Sequence, residues 1–588
     1  MLANTLLDFL SRCAQDYPTR ECLVYGDTRL HYGYFAKVVD RLAAGFAELG
    51  LRRGHRLALM LPNVPQFPLV YYALLKLGVW VVPLNVLFKE NEIRFVLEDS
   101  GADGFVAWEG FSARLAPAAA ELRACRWQIF FGEKIPNGSI DLTHLIAASM
   151  QRFERTGGET RIHAEPPDPA VVFYTAGATG LPKGAVFSHA NLAAAISACW
   201  RNFAVTIDDR FLAVIPLFHS FGQMLGLHLP LAVGATTVLL PKFDPQAMID
   251  TIAKERITHF VAVPSMFPAL LRLAPEPAQL ASLKCCLVSG ALLPARVRDE
   301  FEQRYQIPIY EGYGLAECTP LSTAFSAWIP RTPEKACATG FPLKGMEVAV
   351  LDANRRQMPD GKIGEIFVRG PWVMQGHLQN GQISKTAFWN DWLATGDLGM
   401  LDREGFLYLV DRKTEVITKA GFPVYPSEVE AILSQHPKIE ECTVIGVADR
   451  AHGEEVKVYI ILKSNTTATK EEIFEFCKSR LAFYKCPRHV EFVDTLPHSV
   501  TGKVLKHLLR EKKPAPVAVA PAESQPPVET IPSPSVGIPA AVATPESLPA
   551  VETVPPPSIT ALTAEEPVNG VNTSPDHTTI QTTMLPQS

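Results

Sequence analysis

Over most of residues 1–400, short apolar runs alternate with longer amphipathic stretches. The runs "HRLALMLP" (55–62), "GADGFVAW" (101–108), "RFLAVIPLF" (210–218), "ATTVLLP" (235–241), "ITHFVAVP" (257–264) and "LKCCLVSG" (283–290) read as strands. Between them lie helical patterns such as "DPQAMIDTIAKER" (244–256). Strand followed by helix at this spacing predicts α/β units around mostly parallel sheets. The stretch from Phe67 to Phe88 imitates a membrane span, but Lys76 sits in its middle and Pro68 and Pro83 break it. Gly78 separates a helical half, "VYYALLKL", from a strand-like half, "VWVVPL". A buried helix followed by a core strand is expected, with a spanning helix as the other reading.

Past about residue 340 the texture changes. "MEVAVLD", "GEIFVRG" and "GFLYLVDR" are short strands split by turn residues and predict a β-rich subregion. A smaller α/β unit begins near Arg412, with a helix from Ser427, strands "ECTVIGVAD", "EEVKVYIILK" and "HVEFVD", and a helix "KEEIFEFCKSRLA". From Pro514 the chain holds a third of its 48 prolines and no aromatic residue. Such a segment buries too little apolar surface to offset chain entropy, so disorder is expected. The expected division is a large domain over 1–411, a small domain over 412–513, and a disordered tail over 514–588 whose partner, if it has one, is unknown.

A net charge of −6 gives no general pull toward nucleic acid or an anionic membrane. The 11 cysteines are scattered, without CxxC or Cys/His ligand spacing, which fits a reducing, cytoplasmic compartment. The amphipathic N-terminus lacks the basic region of a signal peptide.

The chemistry begins at "YTAGATGLPKG" (174–184). "AVVFYT" before it and "GAVFSH" after it read as strands, with a helix capped near Ser188 or Asn191. The Gly-rich loop therefore joins strand to strand. A Walker-type loop instead enters a helix with Gly-Lys-Ser/Thr at the turn. Gly177 and Gly180 let backbone amides approach an anion, Thr175 and Thr179 supply hydroxyls, and Lys183 supplies charge. The bland alternative is a flexible turn.

Four further motifs accompany the loop. "YEGYGLAE" (310–317) places Gly312 and Gly314 around Tyr313, whose ring can lie against a planar base, and ends in Glu317, a hard ligand suited to Mg²⁺. "WLATGDLG" (392–399) sets Asp397 in what reads as a tight turn, where a carboxylate can accept from ribose hydroxyls. "DRKTEVITKAGFPVYPSEVE" (411–430) carries Arg412, and "LPHSVTGKVLK" (496–506) carries Lys503. Each has a plainer reading: solvated surface for Lys503, core packing for Tyr313, a closed β-turn for Asp397.

In order and spacing these five motifs, over roughly residues 5 to 510, resemble those of the adenylate-forming superfamily of acyl-CoA synthetases, luciferases and peptide-synthetase adenylation domains. "PLFHSFG" (216–222) and "LVSGALLP" (287–294) resemble its fatty acyl-CoA ligase branch. The resemblance implies an α/β fold with a large N-terminal domain of stacked, mostly parallel sheets plus a β-rich subdomain, and a small mobile α+β lid. It implies ATP and CoA as co-substrates and Mg²⁺ as cofactor. By resemblance, Lys503 and Glu317 are the catalytic residues. Lys503 bridges the substrate carboxylate and the α-phosphate, and Glu317 positions Mg²⁺. Thr175, Gly177, Thr179, Gly180 and Lys183 embrace the outer phosphates, Gly312, Tyr313 and Gly314 hold adenine, and Asp397 and Arg412 hold ribose. Lys419, Ala420 and Gly421 line the CoA channel once the lid turns at Thr414. His219 sits in the acyl pocket, with Ser289, Gly290 and Ala291.

The sequence departs from the family pattern at Ala176, Ala178 and Ala316, where hydroxyl residues are usual, and at Thr414, where Asp or Lys is usual. Each lost hydroxyl costs about 0.5–1.5 kcal/mol of binding, so weaker ATP binding is expected, and a degenerate nucleotide-binding homologue is the non-enzyme alternative. The pocket segments 218–232, 263–271 and 318–325 hold no evident acid to pair a substrate ammonium. Gly222, Gly226 and Gly290 leave space for a chain. A medium- to long-chain fatty acid is therefore expected, with an aryl acid as the competitor. No inserted block separates Gly396 from Arg412, which favours CoA over a carrier protein. Peripheral membrane association and a homodimer stay open.

Overall fold

The computed structural model describes residues 4–510 apart from 121, 123–124, 157–163, 176–181, 380, 450–452 and 500–501. The tail expected over 514–588 lies outside the described residues. Among these residues, two nine-stranded sheets organise the large domain. One runs, edge to edge, Phe341–Pro342, Thr323–Ala324, Ile309–Tyr313, Cys285–Val288, His259–Ala262, Arg210–Ala213, Thr236–Leu239, Glu21–Tyr25 and Thr28–His31. Its interior pairs are parallel and its edges antiparallel. The strands Cys285–Val288 and His259–Ala262 are buried at every position, which is why they read as unbroken apolar runs.

The second sheet runs Gln382–Ser384, Gly376–Gln379, Lys183–Ser188, Pro169–Thr175, Trp80–Pro83, Arg56–Met60, Gly104–Trp108, Trp127–Phe131 and Ile140–Asp141. The Phe67–Phe88 stretch becomes a buried helix, Gln66–Lys76, and the core strand Trp80–Pro83. Among the described residues no helix is long and apolar enough to cross a membrane. Pro169–Thr175 and Lys183–Ser188 form an antiparallel pair whose last register partners are Thr175 and Lys183. The helix His189–Phe203 follows at once, capped by Ser188. The Ser188 side chain accepts from the Asn191 N–H at 3.1 Å, and Asn191 Oδ1 accepts from the Ser188 N–H at 2.9 Å.

The β-rich subregion is a five-stranded sheet containing Glu347–Leu351, Gly364–Arg369, Trp392–Leu401 and Leu407–Arg412. A second five-stranded sheet, including Ile439–Asp449 and Gly453–Leu462, forms the C-terminal domain. One buried apolar cluster draws on residues from Leu6 to Leu407, while a separate one runs from Ile417 to Val490. The molecule is thus an α/β fold with a large domain of mixed sheets and a small C-terminal domain.

Candidate active site

Four pieces of the chain converge where the two large sheets and the β-rich sheet meet. Tyr313 ends the strand Ile309–Tyr313, and Glu317 lies in the 3₁₀ turn Ala316–Cys318 that follows. A Cβ at Gly312 would fall 2.6 Å from the Thr323 carbonyl, and one at Gly314 would enter the backbone of Pro320 and Leu321. The two glycines therefore serve close passage of the next strand. They do not bare the Tyr313 ring, which is only 6% exposed.

The Tyr313 hydroxyl donates to Asp397 Oδ2 at 2.8 Å. Asp397 is not in a tight turn, as its sequence suggests. It lies within the ten-residue strand Trp392–Leu401. The turn-like signal comes from a bulge: register against Gly364–Arg369 slips between Ala394 and Leu398, and Gly396 takes φ +73°. Arg412 pairs with Asp397 on the neighbouring strand, with Nε 3.4 Å from Oδ1. Burial raises the Asp397 pKa, opposed by Arg412, the Tyr313 hydrogen bond and Lys503.

Glu317 Oε1 lies 3.5 Å from Thr175 Oγ1 and 3.4 Å from His377 Nε2. Burial pushes its pKa up, but the His377 hydrogen bond, its backbone and the charges of His377 and Arg412 outweigh that and hold it below the usual carboxylate value. An ionised carboxylate in a nearly closed site is a suitable hard ligand for a divalent cation. Among the described residues no group of three or more His, Cys, Asp or Glu forms a cation cage. Mg²⁺ rarely uses one, because it takes one or two carboxylates and completes its shell with phosphate and water.

Lys503 comes from the C-terminal domain. It is exposed. Desolvation of the ammonium, then Arg412, draws its pKa down to about 8, while Asp397 and Glu415 pull the other way. The two domains are therefore arranged with the Lys503 charge acting on the Asp397–Arg412 pair.

Of the phosphate loop, Gly177, Thr179 and Gly180 lie outside the described residues, as do Ala176 and Ala178. Lys183 is exposed at the loop's closing pair. His219 is half-buried and caps the short helix Ser220–Gln223, accepting at Nδ1 from the Phe221 N–H at 3.3 Å. Burial lowers its pKa to about 4. Ser289 is buried, Gly290 takes φ +95° and Ala291 is exposed.

The space expected beside Gly222 and Gly226 is already filled. A Cβ at Gly222 would lie 2.7 Å from Ile215 Cγ2, and one at Gly226 would lie 3.3 Å from the Ala213 Cβ. Those glycines let the helix sit directly on its strand. Beside Gly290 the nearest atom to a Cβ would be Val263 Cγ1 at 3.8 Å, so room remains there.

Ala420 and Gly421 form an exposed hairpin turn, and Lys419, largely buried, ends the strand that enters it. Lys419 pairs with the buried Glu455 of its own domain, and Ala420 takes φ +50°. Thr414 is exposed in the turn after Arg412, between two tethered neighbours. Lys413 Nζ bonds Glu365 at 3.0 Å and Glu415 pairs with Arg510 at 2.5 Å.

Two residues of the site escape sequence reasoning. His377 sits in "GHLQ" without a recognisable motif, and reaches Glu317 because its strand pairs with Lys183–Ser188. Ser265 falls in the segment 263–271 expected to line the pocket, but its contact with Gly502 of the C-terminal domain has no signal in the sequence.

The model of the AMP-binding enzyme family matches residues 10–378, and that of the AMP-binding enzyme C-terminal domain matches 428–503. The chain belongs to the AMP-binding enzyme family. It is 32% identical over 538 residues to a long-chain-fatty-acid–CoA ligase of Bacillus subtilis, covering 87% of this chain and 95% of the relative. It is 30% identical over 504 residues to a 2-succinylbenzoate–CoA ligase of Bacillus licheniformis, covering 85% and 99%. Among solved structures, o-succinylbenzoate-CoA synthetase of Bacillus subtilis with ATP and a magnesium ion is similar with a TM-score of 0.73 and 28% identity, covering 85% of this chain and 98% of that one. Within the AMP-binding family the chain is thus an acid–CoA ligase homologue.

Proposed function

We propose that this AMP-binding enzyme makes an acyl-CoA from a medium- to long-chain fatty acid, ATP and CoA through an acyl-adenylate. One observation supports the reading: Gly502, next to Lys503 on the small domain, packs against Ser265 of the large domain, whose site holds Tyr313, Asp397 and Arg412 bonded together.

In the first step a carboxylate oxygen attacks the α-phosphorus of ATP, the bond to the bridging oxygen of the β-phosphate breaks, and pyrophosphate leaves. Two anions must meet, so preplaced cations and amides carry the rate. Lys503 neutralises the junction between carboxylate and α-phosphate. Asp397 and Arg412 hold ribose, and Tyr313 fixes Asp397 while its ring borders the base. Thr175, Lys183 and the loop between them take the outer phosphates. Glu317 would hold Mg²⁺, which supplies Lewis-acid neutralisation of phosphate charge when bound. In the second step the CoA sulfur attacks the acyl carbonyl and AMP leaves. The exposed turn Ala420–Gly421, with Lys419 before it, serves that step only after the C-terminal domain rotates about Thr414. The strand Trp392–Leu401 passes to Leu407–Arg412 through a short turn, which supports CoA as acceptor.

The apolar pocket segments and the Bacillus subtilis relative support the fatty acid. A compact aryl acid is the second reading, favoured by the filled space at Gly222 and Gly226. Pyrophosphate release with ATP and a panel of C8–C16 and cinnamate-like acids decides between them. Clear preference for the aryl acids overturns the fatty-acid reading, and no release with any acid overturns the ligase reading.

A further inference from the structure

We propose that Ser265 is a positioning residue for Lys503: the seat on the large domain against which Gly502, its neighbour in the chain, docks for adenylation. The proposal rests on the reading of Lys503 above.

Gly502, next to Lys503, takes φ +74° and lies so close to Ser265 that a Cβ there would fall 2.6 Å from the Ser265 Cβ and nearer still to its hydroxyl. Gly502 and Lys503 are tied to Ser499. The Ser499 N–H donates to the Lys503 carbonyl at 2.8 Å, the Gly502 N–H to the Ser499 carbonyl at 2.9 Å, and the Lys503 N–H to Ser499 Oγ at 3.1 Å. His498 and Val504 flank them as an antiparallel pair, and His498 Nε2 lies 2.7 Å from Glu441 Oε1. Gly502 and Lys503 are adjacent and share Ser499 as partner, so whatever displaces Gly502 displaces Lys503.

The seat cannot yield. Ser265 opens the helix Met266–Leu273, in which Met266 and Phe267 are buried. The Phe267 ring packs on Phe301 with centroids 5.0 Å apart and on Phe260 at 6.2 Å. A close-packed core resists displacement. At the far end of the same helix, Arg272 Nη1 lies 3.3 Å from Glu440 Oε1 of the C-terminal domain. That pair is exposed on both sides and contributes little by itself. Both ends of one anchored helix therefore face the C-terminal domain, and Ser265 is the end that governs the lysine. A small residue is required there because the gap beside Gly502 is already closed.

The test separates the half-reactions, using the best acid from the substrate panel. Adenylation is read as single-turnover pyrophosphate release without CoA, and thioester formation from the preformed adenylate of that acid plus CoA. Ser265→Leu is expected to slow adenylation by about 10²-fold, the effect of displacing a reacting group by roughly 1 Å, while thioester formation stays within a few-fold. The conservative Ser265→Ala, which opens space instead of filling it, should adenylate at least about tenfold faster than Ser265→Leu. Gly502→Ala should reproduce the selective loss from the other side. Adenylation by Ser265→Leu at the parent rate overturns the seat, and so does equal loss of both half-reactions. Lys503→Ala runs in parallel. If it adenylates normally, the reading of Lys503 fails; if it does not while Ser265→Leu does, only the seat fails.

Discussion

Tyr313 and Asp397, 84 positions apart, are joined by a 2.8 Å hydrogen bond that ties the large parallel sheet to the β-rich sheet. The bond satisfies a carboxylate that is 5% exposed. Tyr313→Phe removes the donor and leaves that oxygen without it. Expected effects are a stability loss of about 1–3 kcal/mol, read from urea unfolding, and weaker AMP binding in calorimetry. Wild-type affinity and midpoint would contradict this account of the bond.

His377 orients Glu317 from a neighbouring strand. Partners of this kind typically set metal affinity by roughly 10–100-fold. His377→Ala is therefore expected to raise the Mg²⁺ concentration needed for half-maximal ATP binding by about that factor, with His377→Gln recovering part of it. Titration of ATP binding with Mg²⁺ at fixed nucleotide measures the shift.

Lys413 and Glu365 form an ion pair that pins the residue before the proposed hinge to the β-rich sheet, and Arg355 also reaches Glu365, at 3.2 Å. Lys413 is largely exposed, so the pair is worth about 0.2–1 kcal/mol at most. Lys413→Ala should leave global stability nearly untouched but shift the balance of adenylation to thioester formation by up to about fivefold. Added salt should move that balance in the parent and not in the variant, since screening removes the same contact. A salt response unchanged by the substitution would assign it elsewhere.

Three buried histidines predict how the fold responds to acid. Burial lowers His189 and His259 to about 4 and His228 to about 3; at His259, Asp209 opposes the shift. All three lie below the ordinary value of 6.5, so the unfolded chain takes up these protons first. Their contribution is fully present above about pH 6.5 and is lost as pH falls toward 4 and 3. The urea midpoint should drop between pH 7 and pH 5, and His228→Gln should flatten part of that slope. A midpoint independent of pH over this range would contradict the assignment.

Much of this molecule is legible along the chain. The apolar runs become strands, Gly78 separates helix from strand, Ser188 caps a helix with Asn191, and the glycine-rich segment joins strand to strand. Each follows from side-chain period, backbone freedom or a cap within a few residues, so sequence order suffices. The order of five motifs likewise placed Glu317, Asp397, Arg412 and Lys503 in one proposed site.

Other features were decided only by the packed fold. Asp397 reads as a turn because Gly396 resembles one, but a bulged strand holds it. Gly222 and Gly226 read as open space, yet Ile215 and Ala213 occupy it. His377 and Ser265 carry no motif, because their partners lie 60 and more than 230 positions away. Local pattern determined the elements and much of the chemical inventory. Which atoms meet was set by sheet order and domain docking, since contacts between distant segments depend on how whole elements bury their faces together.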